Sequence, residues 1–83
     1  MKEFKVCCRD SITGFEMILS DCSYNMAMDY LTRKGIDILS CKNSTIYNNM
    51  TVIKTGIWSH ILADFKPSRT FYYDETRGYL LGD

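Results

Sequence analysis

Two stretches of alternating apolar and polar side chains near the start of the chain predict a β-hairpin. Residues 4–9 carry Phe, Val and Cys at every second position, and residues 15–20 carry Phe, Met and Leu in the same way. A period of two is typical of a strand with one buried face. The residues between them, 10–14, begin with Asp and end with Gly, which favour a tight turn.

A period of three to four follows and predicts an amphipathic helix that begins near Cys22. Ser20 or Asp21 is suited to cap its first turn, and Gly35 is suited to end it. The apolar stripe of this helix contains Tyr24, Ala27, Met28 and Leu31. Residues 36–41 then predict a strand with apolar side chains on both faces, which indicates a central place in the sheet.

The segment of residues 42–66 allows more than one interpretation. Turn residues at 42–44 and 48–49 bracket a short stretch and precede a predicted strand over residues 50–54. The apolar side chains of residues 57–65 fit one face of a second helix, although Gly56, Ile57 and Trp58 could equally extend the strand. Pro67 is expected to end whichever element precedes it.

The last part of the chain predicts a closing hairpin. Residues 70–73 and 79–81 form its strands, and residues 74–78 form a turn with the same Asp-to-Gly spacing as the first turn. Together the elements predict a single domain over residues 1–83 in the α+β class. We expect a small antiparallel sheet with two hairpins and one main helix packed on one face.

Composition removes several classes of function. The 83 residues carry ten basic and ten acidic side chains, so no net charge draws the protein to nucleic acid or anionic lipid. Residues 1–5 lack the features of a secretion signal, and no apolar run is long enough to span a bilayer. We therefore expect a cytoplasmic protein with no membrane partner.

Catalytic and metal-binding patterns are weak in this sequence. The four cysteines, Cys7, Cys8, Cys22 and Cys41, lack the paired spacing of a zinc site. His60 is the only candidate base for a nucleophile and lies among apolar neighbours. The acids Asp10, Asp74 and Glu75 are already explained as turn residues. We expect no enzyme activity, no metal and no cofactor.

Two binding functions remain. The first is docking to a larger protein partner, with self-association as a variant, because the chain holds more large side chains than one small core can absorb. The alternative to such a binding surface is that residues 42–66 cover the second face of the sheet. The second is nucleic-acid binding through the aromatic and basic closing hairpin, which ranks lower because one face of that hairpin must cover the core. The candidate partner-binding residues are Tyr47, Trp58, Arg69, Tyr72, Arg77 and Tyr79.

The order of elements over residues 3–42 resembles that of small phage-encoded proteins that bind and inhibit host machinery, such as inhibitors of bacterial RNA polymerase. Those proteins share a hairpin, a helix of the type at residues 26–31, and a strand entered through a Gly-containing turn, as at residues 35–38. The resemblance implies a phage protein that blocks a host defence or transcription protein in the host cytoplasm. It assigns no individual functional residue.

Overall fold

The described part of the chain, residues 2–3 and 8–83 of the computed structural model, is a small antiparallel sheet with one helix. The α+β class is therefore as predicted. The strands follow the order β1-β2-β6-β5-β4-β3 across the sheet, and every neighbouring pair is antiparallel. The elements are β1 (Lys2–Glu3), β2 (Glu16–Ser20), α1 (Tyr24–Arg33), β3 (Asp37–Asn43), β4 (Met50–Ser59), β5 (Asp64–Asp74) and β6 (Tyr79–Gly82).

Only the end of the first predicted strand can be compared, because residues 4–7 lie outside the described residues. Arg9 pairs with Glu16 in an antiparallel bridge, and the amide of Met17 donates to the carbonyl of Cys8 at 3.1 Å. The turn between them closes through a 2.8 Å hydrogen bond from the Gly14 amide to the Asp10 carbonyl.

The helix begins two residues later than expected and has a different cap. Ser23 has the extended backbone that an N-cap requires, and its hydroxyl accepts the amide of Met26 at 3.2 Å. The expected caps, Ser20 and Asp21, are wrong for two reasons. Ser20 still belongs to β2, and Asp21 has a positive φ of 53°, which is not the extended conformation of a cap.

Strand β3 lies at an edge of the sheet and not at its centre. Among the described residues it pairs with β4 alone. Its two-sided apolar pattern has another cause. Ile38 packs against the core beneath the helix, whereas Leu39 leans over Gly56 of β4, where a Cβ atom would lie 2.8 Å from the Leu39 side chain.

The predicted second helix at residues 57–65 is wrong, and the strand alternative is correct. Strands β4 and β5 are paired from Met50 opposite Asp74 to Ser59 opposite Asp64. Pro67 does not end an element but lies inside β5. It is tolerated there because β6 pairs only with the last four residues of β5, which leaves Pro67 with a single neighbouring strand and next to a bulge.

The core is a cluster of buried side chains from the helix and from one side of the sheet, which we call the helix face. Residues directly opposite one another on paired strands share a face, so the register places Ile53, Phe71 and Leu80 together there. Ala27 and Leu31 of α1 are fully buried in the same cluster, and Ile18 of β2 is buried there as well. The other side of the sheet, which carries Tyr72, is the opposite face.

Candidate functional site

The feature that sets this fold apart is an arm, residues 57–66, formed where β4 and β5 extend past the other strands. β3 pairs with β4 only as far as Gly56, and β6 pairs with β5 only from Phe71 onward. Beyond these points, within the described residues, the two strands pair only with each other, with Ile57 opposite Lys66 and Trp58 opposite Phe65. The arm is thus a two-stranded ribbon that projects from the sheet.

Local contacts explain why this ribbon is ordered. The rings of Trp58 and Phe65 meet edge-to-face across the strands, with centroids 5.2 Å apart and planes at 76°. This geometry adds stability to a cross-strand pair. In the turn at the tip, the amide of Leu62 donates to the hydroxyl of Ser59 at 3.3 Å. Ala63 completes the turn with a positive φ of 53°.

The arm exposes an unusual amount of apolar surface. Ile61 at the tip is 96% exposed and Leu62 is 59% exposed, and Trp58 keeps 46% of its surface in contact with solvent. Phe65 lies opposite Trp58 and continues this surface, whereas Ile57, also exposed, lies on the other face of the ribbon opposite Lys66. Exposed apolar side chains that lie together, and not singly, mark interaction sites in soluble proteins. His60, the expected candidate base, is exposed at the same tip.

Of the six predicted partner-binding residues, the arm contains only Trp58. Tyr47 and Tyr72 lie on the opposite face of the sheet, where Phe15 stacks on Tyr72 with centroids 4.6 Å apart and planes at 11°. Tyr47 contacts both rings edge-on, at 5.8 Å from Phe15 and 6.2 Å from Tyr72. The loops before β2 and after β3 therefore cover part of this face. The loop after β3 belongs to residues 42–66, for which such a covering role was the alternative to a binding surface.

Arg77 is held in an ion-pair cluster with Asp10 and Asp74. Its guanidinium donates to Asp10 at 2.6 and 3.0 Å and to Asp74 at 2.6 Å. These hydrogen bonds raise the pKa of Arg77 and lower the pKa of Asp10 to about 2. The same guanidinium lies 4.9 Å from the ring centre of Tyr79. Both predicted residues, Arg77 and Tyr79, thus have partners within the chain.

Arg69 is also engaged within the molecule. It forms an ion pair with Glu16, donates from Nε to the carbonyl of Asp83 at 3.1 Å, and lies over the ring of Phe71 at 5.2 Å. A phosphate would have to compete with carboxylates for both Arg69 and Arg77. This geometry counts against the closing hairpin as a nucleic-acid interface.

The apolar arm residues other than Trp58 were missed by the sequence prediction. Ile57, Ile61, Leu62 and Phe65 recur at a spacing that also fits one face of a helix. The signal for the strand was the β-branched Ile57 followed by the aromatic Trp58, residue types that favour a strand.

Other kinds of site find little support in the described part of the chain. Residues 2–3 and 8–83 contain no group of three or more potential metal-ligating side chains. Cys22 and Cys41 form no disulfide among the described residues, and burial raises the pKa of the Cys22 thiol. No helix among the described residues is both long and apolar enough to cross a membrane.

Comparison with protein-family models, with curated proteins and with solved structures found no match for this chain.

Proposed function

We propose that this protein is a non-enzymatic binding module that docks its arm into an apolar groove of a larger protein. The observation that supports the proposal is the projecting ribbon with Trp58, Ile61 and Leu62 exposed together. Large apolar and aromatic side chains of this kind supply most of the energy at protein interfaces. In this proposal, the sheet, with its two predicted hairpins and its helix on one face, is the rigid scaffold that presents the arm.

A second protein fits this arm better than a second copy of the chain does. A cavity of about 450 Å³ in the described part of the chain has the charged side chains of Lys42 and Glu75 beside Tyr24 and Tyr73. An apolar tip that entered it would have to take these charges out of water. We still predict that the protein inhibits a partner in a host cytoplasm. Binding of the arm would explain such inhibition, because the arm would occupy the partner's surface.

Site-specific photo-crosslinking tests the proposal before the partner is known. A benzophenone amino acid at position 61 should give one dominant crosslinked protein in a bacterial lysate. A probe at position 12 should not, because Ile12 is also exposed, at 74%, but borders Met50 and Asp74 at the other end of β4. Excess unlabelled protein should abolish the crosslink, whereas excess Ile61→Asp protein should not.

Affinity measurements with the captured protein complete the test. Ile61→Asp and Trp58→Ala should each weaken binding about tenfold or more, whereas Ile12→Asp should leave it unchanged. The melting temperature should hardly move for Ile61→Asp, since position 61 makes few contacts. Binding that survives the arm variants would refute the proposal. A dimer that dissociates in Ile61→Asp would instead show that the arm pairs with a second copy.

A further inference from the structure

A cavity of about 310 Å³ lies on the opposite face of the sheet, away from the arm. Its floor is the surface of β3 and β4 beside Tyr72, and the loop that joins these strands closes one end through Thr45 and Tyr47. This volume is at the lower end of the range for small-molecule sites.

Two lysines border this cavity without a counter-charge. Lys42 is opposite Val52 and Lys54 is opposite Ser40, so the register makes the two lysines diagonal neighbours on one face. Both are exposed, and neither has a carboxylate within 4 Å among the described residues. Like charges at neighbouring strand positions repel each other. An anion between them would relieve that repulsion.

The remaining walls offer hydrogen-bond donors and no carboxylate. The Ser44 hydroxyl oxygen accepts the amides of Ile46 at 3.1 Å and Tyr47 at 2.9 Å, which leaves its proton free to donate. The Ser40 and Thr45 hydroxyls line the same cavity. The nearest acids on this face, by register, lie outside the cavity: Asp37 is opposite Gly56, and Asp83 accepts the amide of Thr70 at 3.2 Å.

An aromatic wall stands beside these donors. Tyr47 and Tyr72 both line the cavity. Their ring centroids are 6.2 Å apart with planes at 81°, so a planar group could stack on one ring and meet the other edge-on, and Phe15 stacks on one face of Tyr72. Rings held in this way lose little conformational freedom when a planar group packs against them. The site thus pairs a cationic region with an aromatic one.

We propose that this cavity binds a mononucleotide, with the phosphate between Lys42 and Lys54 and the base against Tyr47 and Tyr72. The lysines and hydroxyls match a phosphate, which accepts hydrogen bonds only. The aromatic wall matches a base, since bases stack on aromatic side chains. A single nucleotide fits better than a polymer because the loop closes one end and only two cations are present. The site is separate from the arm and does not depend on the proposed function.

Titration of the full chain with adenosine 5′-monophosphate, followed by amide chemical shifts, tests this proposal. Saturable shifts should appear in residues 40–47, 52–54 and 72. Lys54→Met should weaken binding about tenfold, the size expected for loss of a charged hydrogen bond, whereas Lys66→Met on the arm should leave it within about twofold. Lys66 is a matched control because it is also an exposed lysine without an ion pair in the described residues.

Three further ligands test separately whether the phosphate, the base and the single-nucleotide length are each needed for binding. Adenosine without phosphate and inorganic phosphate without a base should each bind at least about tenfold more weakly than the nucleotide. Equal binding of either would overturn the proposal, as would the absence of saturable shifts with the nucleotide. An oligodeoxyadenylate whose affinity rises steeply with length would also overturn it, because the ligand would then be single-stranded nucleic acid.

Discussion

Asp10→Asn should remove most of the acid sensitivity that the ion-pair cluster gives to the fold. Asp10 is almost fully buried, and its carboxylate also accepts the amide and the hydroxyl of Thr13 at 3.1 and 2.7 Å. With Arg77 as the first cause, these partners lower its pKa from 3.8 to about 2. An asparagine keeps an oxygen for Thr13 but has no charge for Arg77.

The size of the effect follows from the difference in pKa. One pKa unit corresponds to about 1.4 kcal/mol, so the ionised Asp10 contributes roughly 2 kcal/mol to the free energy of unfolding. Because the folded-state pKa is depressed, this contribution is complete above pH 4 and is lost as the pH falls toward 2. For a domain of this size, we expect Asp10→Asn to lower the melting temperature at pH 7 by roughly 10 °C.

Urea unfolding at a series of pH values from 2 to 7 measures this contribution directly. The wild-type protein should lose stability steeply between pH 4 and 2, and Asp10→Asn should show a shallower dependence. Asp29→Asn is the matched control, since Asp29 forms an exposed ion pair with Arg33 at 3.0 Å and should cost only a few tenths of a kcal/mol. Parallel pH profiles for the wild type and Asp10→Asn would refute the reasoning.

Two further predictions concern the core. Leu31→Ala should cost about 2–5 kcal/mol because Leu31 is fully buried, whereas Leu62→Ala on the arm should cost under about 0.5 kcal/mol; equal losses in chemical denaturation would contradict the assignment of the core. Tyr73→Phe removes a buried 2.8 Å hydrogen bond to the Cys22 carbonyl and should cost about 1–2 kcal/mol. Burial raises the pKa of Tyr73, so stability should fall as the pH rises above 10, and less steeply in Tyr73→Phe; an unchanged alkaline profile would speak against this.

The sequence was sufficient for the elements whose pattern had a single interpretation. The predicted helical stripe contains Ala27 and Leu31, which are in the core, and residues 70–73 lie in a strand as predicted, with Phe71 and Tyr73 on the other face from Tyr72. Both patterns reflect burial on one side of one element, which periodicity reports directly.

Features that depend on distant residues could not be predicted in this way. β3 lies at an edge because the chain returns to β2 through β6, a pairing that no local pattern encodes. Arg77 was expected at an interface because the sequence does not reveal its ion pair with Asp10. The two residues are 67 positions apart in the chain. The arm allowed a helix as well as a strand because apolar residues that are exposed have the same sequence pattern as apolar residues that are buried.

The position of β6 has a consequence for how this protein folds. β6, the last strand in the chain, pairs with β2 on one side and with β5 on the other. Until residues 79–82 have been synthesised, β1 and β2 cannot join β3, β4 and β5, and the core beneath the helix stays open. Folding must then wait for the end of this segment to leave the ribosome, and the nascent chain carries its exposed strand edges until that moment.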